Sequence, residues 1–594
     1  MMKYGPDKLD YFEITKAAKK LPKTETNSPV RVALLGDCAL QQIHTVLSVL
    51  LRRSGVQAEI FEAPFDTIDP LVIDPGSALY QFKPDFVVFV NSAQRLRHDL
   101  FLAGKGPERL ALLDRTVESI TERWRAVASH SNATILQTNF VKPLERAFGQ
   151  FEHRVAHSIQ SVFEAANHRL AEAAAARAST FLVDLDFAAS AIGKLKWFDE
   201  RLWTLAKTPC ALDCLPHLAQ AIVDIVVACR GQVVKCVVLD LDNTLWGGII
   251  GDDGLAGIRL GHLGDGEAFT AFQAFLKQLP QRGILLAVCS KNEREAAMLP
   301  FDKHADMVLR EDDIAVFVAN WENKADNIRS IAKELNIGLD SMVFLDDNPF
   351  ERNLVRELAP EVIVPEMPED AADYVRAVGE WNLFETTSYS ALDEKRTELY
   401  RQRAESEAAR AEFRSIDDYL RSLSMVATLG RFDRYNLPRI AQLIQRSNQF
   451  NVTTRRYSES ECEAMMGEDG CYPFHLSLKD RLSDHGLISV AILKETPDAM
   501  HVDTFLMSCR VLKRGVEELA LNTMVEHAKA RGKATLTAEY LPTAKNAMVK
   551  ELWDSFGFTR VSTREDGAVR YSLNVADYQP RTVFMRVDRV AEEG

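Results

Sequence analysis

Val237-Val238-Leu239-Asp240-Leu241-Asp242-Asn243-Thr244-Leu245-Trp246-Gly247-Gly248 decides how this chain is read. It opens as a short apolar, β-branched run, the pattern of a strand buried on both faces. The run ends in two carboxylates spaced i, i+2. Side chains two apart on a strand point the same way. Both therefore leave the strand at its carboxyl end, where open α/β sheets hold their ligands. Gly247 and Gly248 let the backbone turn sharply beside them. Two like charges this close repel unless a cation or a proton lies between them. A hard divalent cation with oxygen ligands suits such a pair, with Mg²⁺ as the default.

Three later stretches repeat this chemistry in order. Ile284 to Cys289 is apolar and runs into Ser290-Lys291-Asn292, a hydroxyl and an amide able to hold a phosphate oxygen. Trp321-Glu322-Asn323-Lys324 places a lysine at a helix start, ordinarily a solvated surface charge. Met342-Val343-Phe344-Leu345-Asp346-Asp347-Asn348-Pro349 is another apolar strand ending in paired acids.

Together the four stretches resemble the haloacid dehalogenase (HAD) phosphatase superfamily across roughly residues 233 to 380. The resemblance implies Asp240 as nucleophile on phosphorus and Asp242 as acid and base. It implies Mg²⁺ on Asp240, the Asp242 carbonyl and an acid of the Asp346–Asp347 pair, Asp347 being slightly favoured. Ser290 and Lys324 would neutralise phosphate oxygens, with Thr244 and Asn292 lining the substrate. Leu245-Trp246-Gly247-Gly248-Ile249-Ile250-Gly251-Asp252-Asp253-Gly254 resembles the FkbH-like branch. Members of that branch take glyceryl from 1,3-bisphosphoglycerate, release phosphate and load the phosphopantetheine thiol of an acyl carrier protein. The partners implied are that carrier and a phosphorylated three-carbon acyl substrate.

Before this region, apolar runs at 30–36, 85–91, 133–139 and 180–186 alternate with helical stretches at 110–128 and 154–177. That alternation predicts a parallel sheet with right-handed crossovers. The domain resembles an SGNH-hydrolase module, a flavodoxin-like parallel α/β sheet. Gly36-Asp37-Cys38 replaces the usual Gly-Asp-Ser, and Asp213 and His217 stand one residue further apart than the family spacing. A cysteine between strand end and helix start can have a lowered pKa; the reading adopted is a degenerate, non-catalytic domain. Cys210, Cys214 and His217 lack a fourth zinc ligand and read as core.

After it, 390–413 is rich in helix formers and charge, and reads as a solvated connecting helix. Strands are expected at 424–429, 475–478, 487–494, 500–507, 535–540 and 569–573, with a helix from 515 to 530. Met507 to Glu517 joins a strand to that helix and resembles the pyrophosphate loop of GNAT acyltransferases, though Val516-Glu517 follows Gly515 where a small residue is usual. The resemblance makes Arg510, Lys513, Arg514 and Gly515 candidates for the phosphopantetheine arm. Asn448 to Arg456 is a second FkbH-like signature, implying contacts from Asn448 and Arg455. Cys509, beside Arg510, is the candidate thiol for a glyceryl thioester, since adjacent cations favour the thiolate.

The expected organisation is thus three α/β or α+β domains at 1–232, 233–385 and 386–594: SGNH-like, a HAD-like Rossmannoid core, and GNAT-like. The 594 residues allow about three to five domains. A net charge of −14 argues against non-specific nucleic-acid binding. Nine cysteines without a Cys-x-x-Cys pair read as reduced thiols. No apolar run is expected to reach the roughly 18 residues of a membrane span, and the polar start lacks a signal-peptide core, so a cytoplasmic enzyme is expected. The competing readings are a plain phosphatase on a sugar or nucleotide-sugar intermediate, and a GNAT-like acyltransferase with a structural HAD part.

Overall fold

The computed structural model describes residues 10–21, 29–389, 391–394, 396–400, 416–481, 483–508, 511–543 and 545–590. The chain forms two compact units, Met1–Cys229 and Arg230–Gly594.

In the first unit, β1 (Val30–Gly36), β2 (Ala58–Glu62), β3 (Phe86–Val90), β4 (Thr134–Thr138) and β5 (Thr180–Val183) form one sheet in the order β2-β1-β3-β4-β5. Every pairing in it is parallel. Helices Gly106–His130 and Ile159–Ala175 supply two of the crossovers, the first longer than the spacing predicted because Pro107 and Glu108 start it early. Leu212–Cys229 is long and apolar enough to cross a membrane, with mean hydropathy 1.6 over 18 residues. That corrects the expectation of no such run. Leu215, Leu218, Ile222, Val223 and Val226 are nevertheless buried in the core.

Cys38 is fully buried, and its thiol lies against the Val90 carbonyl oxygen at 3.9 Å. Burial, then the Asp37 charge, push the thiol well above its ordinary value. The lowered pKa that its position suggested does not occur, because it lies inside the core rather than at a helix mouth. Cys210 and Cys214 are buried too, and the metal-ligating groups found among the described residues do not include them.

The second unit holds two sheets. β6 (Cys236–Leu239), β7 (Leu285–Ser290), β8 (Ile314–Ala319) and β9 (Met342–Leu345) run in the order β8-β7-β6-β9, all parallel. β6 is central and wholly buried, as its unbroken apolar run requires. The chain leaves it for β7 and β8 on one side, then returns to β9 on the other. The carboxyl ends of β6 and β9 therefore flank a topological switch point.

The last sheet has the order β15-β16-β14-β13-β12-β11-β10-β17. Its strands are β10 (Met425–Arg431), β11 (Cys471–Lys479), β12 (Asp484–Glu495), β13 (Ala499–Met507), β14 (Thr535–Tyr540), β15 (Thr559–Thr563), β16 (Val569–Asn574) and β17 (Met585–Arg589). It is mixed: β13–β14 and β10–β17 are parallel, the rest antiparallel. This is the α+β layer expected at the end of the chain. Of the predicted connecting helix, Ala391–Glu394 is helical, and 401–413 lies outside the described residues.

Candidate active site

The four stretches singled out in the sequence come together at the carboxyl ends of β6, β7 and β9. Leu239 pairs with Val288 on one side and Leu345 on the other, so the residues that follow each strand emerge side by side. Asp240 N donates to Leu345 O at 3.0 Å, fixing the first carboxylate beside the Asp346–Asp347 pair. Oxygens of Asp240, Asp346 and Asp347 all lie within 4.8 Å of one another.

Lys324 is not the solvated charge its sequence context suggests. Asn323 caps helix Lys324–Leu335 by accepting from Asp326 N, which sets Lys324 at the first helical position with its side chain inward. It is 3% exposed. Its Nζ donates to Asp346 Oδ2 at 2.6 Å and lies 2.9 Å from Asp240 Oδ1. Burial alone would lower the ammonium, but Asp240 and Asp346 outweigh it and hold it above its ordinary value.

Burial, then the Asp240 charge, push Asp346 up to about 7 despite Lys324. The same two causes raise Asp347. Three carboxylates thus face one ammonium, and the deficit is positive charge. Beyond the Lys324 ion pair, buried Asp240 Oδ1 has no hydrogen-bond partner among the described residues. Oxygen donors, close spacing and net negative charge suit a hard dication such as Mg²⁺. Asp346 has both oxygens engaged, by Lys324 and by Asn348 N at 2.8 Å. Asp347 takes only Thr244 Oγ1, at 3.2 Å, and is the more available of the two.

Asp242 points elsewhere. Its Oδ1 accepts from Trp246 Nε1 at 3.0 Å and Ile250 N at 2.9 Å, its Oδ2 from Asn292 Nδ2 at 2.8 Å. Its carboxylate is outside the three-acid group; only its backbone remains for the metal role expected of it. Asn292 also donates to Ser290 Oγ at 3.1 Å. Thr244, expected at the substrate, is fully buried and grips Asp347 instead, its Oγ1 also accepting from Asp347 N at 3.1 Å. Asn292 likewise orients Asp242 and Ser290.

Sequence reasoning missed Trp246 and Arg352. Arg352 is 5% exposed, and its guanidinium donates to the carbonyls of Asp346 at 2.8 Å and Asp347 at 2.6 Å, holding the acidic turn. The signal was present: Asn348-Pro349 is a helix start, and Arg352 sits one turn into helix Pro349–Leu358, facing back.

Of the residues expected to contact a carrier arm, Asn448, Arg455 and Arg514 bond to internal partners. Cys509 and Arg510 lie outside the described residues. Arg514 is buried and pairs with Asp480, with His485 Nε2 at 3.1 Å. Arg455 pairs with Asp503 at 2.6 Å and Glu539 at 3.3 Å. Asn448 Nδ2 donates to Gly231 O at 3.1 Å, and its Oδ1 accepts from Arg456. Lys513 is exposed, and Gly515, at φ +86°, turns the chain into helix Val516–Ala530.

β13 and β14 pair only from Ala499↔Thr535 to Val502↔Ala538. Beyond that, residues 450–453 fill the gap between them. Met507 N donates to Phe450 O at 3.1 Å, Val452 N to Phe505 O at 3.1 Å, and Leu541 N to Val452 O at 2.9 Å. The second signature is thus built into the sheet as an internal strand-like insert.

Residues 31–227 match the family described as FkbH, N-terminal domain. A crystal structure of the N-terminal part of the protein BF1531 from Bacteroides fragilis, containing a phosphatase domain complexed with Mg, is similar at 39% identity. The match covers 64% of this chain and 100% of that one, with a TM-score of 0.61. The ribosomal-protein-S18-alanine N-acetyltransferase of Escherichia coli is similar at 20% identity over 25% of this chain and 94% of its own, with a TM-score of 0.21. No curated protein matches the chain.

Proposed function

The chain belongs to the FkbH-like proteins with a HAD-type phosphatase domain, and from that premise we propose that it is a Mg²⁺-dependent enzyme cleaving a phosphorylated three-carbon acyl substrate and passing the acyl group to an acyl carrier protein. One observation carries the phosphatase part: three carboxylates and a buried lysine converge at the switch point of a parallel sheet. Mg²⁺ held by Asp240, Asp347 and the Asp242 carbonyl would supply charge for phosphate oxygens.

This chain's residues do the rest. An Asp240 oxygen attacks the phosphorus of the substrate's phosphoester while the bond from phosphorus to the alkoxide oxygen breaks, splitting one hard displacement into two easier ones. The acyl group moves in a separate step, in which the carrier thiolate attacks the acyl carbonyl and the bond from that carbon to the acyl phosphate oxygen breaks, releasing phosphate. Asp242 protonates the leaving oxygen, then takes a proton from the water that releases phosphate. Lys324 and Ser290 neutralise and orient the phosphoryl oxygens. The expected cellular setting is the cytoplasm.

A plain phosphatase is the second reading. The internal pairing of Asn448, Arg455 and Arg514 favours it, since these three, among the described residues, are committed elsewhere than to a carrier arm. The test separates the two. Phosphate release and intact carrier mass are followed with 1,3-bisphosphoglycerate, with Mg²⁺ and with excess chelator. Release with a loaded carrier supports transfer, release with an unloaded one leaves a phosphatase, and release from Asp240→Asn at the wild-type rate overturns both.

A further inference from the structure

Asp242 is half-buried and gripped by three donors. The turn that carries it is rigid: Asn243 sits at φ +52° and Gly248 at φ +100°, and Asn243 Oδ1 accepts from Gly248 N at 2.9 Å. Tyr374 Oη donates to Asn243 O at 2.9 Å, and Gln273 Nε2 donates to Leu245 O at 2.7 Å. Trp246 ends this turn with its side chain fully buried, edge-on to Phe301 at 6.1 Å between centroids.

A buried indole N–H needs an acceptor. This one takes the carboxylate of the residue assigned to proton transfer rather than a backbone carbonyl. Each carboxylate oxygen offers two lone pairs. Oδ1 already takes two donors, Trp246 Nε1 and Ile250 N, whereas Oδ2 takes one, Asn292 Nδ2. Oδ2 therefore keeps a free lone pair, and the indole decides which oxygen that is.

We propose that Trp246 is a positioning residue for phosphoryl transfer: by holding Asp242 Oδ1 it turns Oδ2 toward the leaving group. This rests on the phosphatase reading above. In the step concerned, the Asp240 oxygen–phosphorus bond forms, the bond from phosphorus to the leaving oxygen breaks, and that oxygen takes the Oδ2 proton. A phenolate leaving group, with a conjugate acid near pKa ~10, needs the proton; a carboxylate leaving from an acyl phosphate, near ~4, does not. Misplacing the acid therefore has a signature that loss of fold lacks.

The experiment is kcat/KM for the full-length wild type and Trp246→Phe on phenyl phosphate, on nitrophenyl phosphates of falling leaving-group pKa, and on acetyl phosphate. The ratio kcat/KM reads steps through departure of the leaving group. The variant should lose about tenfold or more on phenyl phosphate, a fraction of the full worth of a general acid, and less than about twofold on acetyl phosphate. Equal losses across the series, or none, overturn the role alone. A wild type that cleaves none of these esters overturns the phosphatase reading and takes this role with it. Melting of the variant checks its fold. Should it unfold, the benzothiophene analogue of tryptophan at position 246, which replaces only the N–H, must give the same graded loss.

Discussion

Removing the cation from the three-acid cluster should make the protein more stable as pH falls. An aspartate in an unfolded chain titrates near ~3.9, whereas Asp346 in the folded chain is pushed up to about 7. Between these values the folded state holds a proton that the unfolded state has lost, so stability declines as pH rises. Below about 4 both states are protonated, and above about 7 both are ionised, so the penalty develops within that window and is constant above it. A displacement of roughly 3 units corresponds to about 4 kcal/mol. The local slope is at most about 1.4 kcal/mol per pH unit for one proton. Asp240 and Asp347 share the same field, so the figure describes the cluster. Bound Mg²⁺ would keep all three acids ionised in the fold and abolish the window. The measurement is thermal melting of the full chain from pH 5 to 8 in excess chelator and in excess Mg²⁺. The Asp346→Asn variant subtracts the titrating groups outside the cluster. In chelator the wild type should lose stability relative to Asp346→Asn as pH rises from 5.5 to 7.5; in Mg²⁺ the two should run parallel. Parallel curves in chelator would refute the charge deficit on which the metal assignment rests.

Lys324→Met should cut phosphate release by at least a hundredfold and lower the melting temperature at pH 7.5 more than at pH 5.5, because it leaves Asp240 and Asp346 facing each other uncompensated; equal lowering at both pH values would contradict this. Gly231→Ala should cost about 1–3 kcal/mol in melting of the second unit, since a Cβ there would meet the Gln445 carbonyl oxygen at 2.2 Å and φ is +73°. Cys38 should resist alkylation of the native protein at neutral pH while reacting promptly in denaturant, being buried with its thiol raised; peptide mapping after labelling reads both.

Burial explains much of what was legible, though β8, apolar and buried over its first half, was missed as well. β6, β7 and β9 declared themselves because strands covered on both faces read as unbroken apolar runs. The strands that were missed, β2, β8, β15 and β17, all sit at sheet edges. β15 is exposed along its whole length and β17 along most of it, so neither carries a hydrophobic pattern to detect. The acids at the strand ends were equally plain, since their positions follow from the strands. What the spacing could not show was direction. Lys324 looks like a surface lysine until Asn323 caps the helix and turns it inward. Arg514 looks like a surface cation until Asp480 buries it. In both, a charge is internal because a partner far along the chain compensates it, 22 residues away for Lys324 and 34 for Arg514. Local pattern carries no trace of such pairs.

The same logic bears on the signature at 448–456. Its conspicuous polar residues suggested an outward-facing contact, yet Asn448, Asn451 and Arg455 have internal partners. Asn451 Oδ1 accepts from Thr453 N and Thr454 N, Asn448 reaches Gly231, and Arg455 binds Asp503. Between them 450–453 closes the gap that β13 and β14 leave as they part. A segment that bonds to two strand edges at once occupies the gap that a ligand lying between the same strands would need. An arm reaching the second unit is then expected along another face, and exposed Lys513 near Gly515 is the candidate. Lys513→Glu should then weaken carrier loading while leaving phosphate release unchanged. Loading at the wild-type rate would remove that face as well and leave the phosphatase alone.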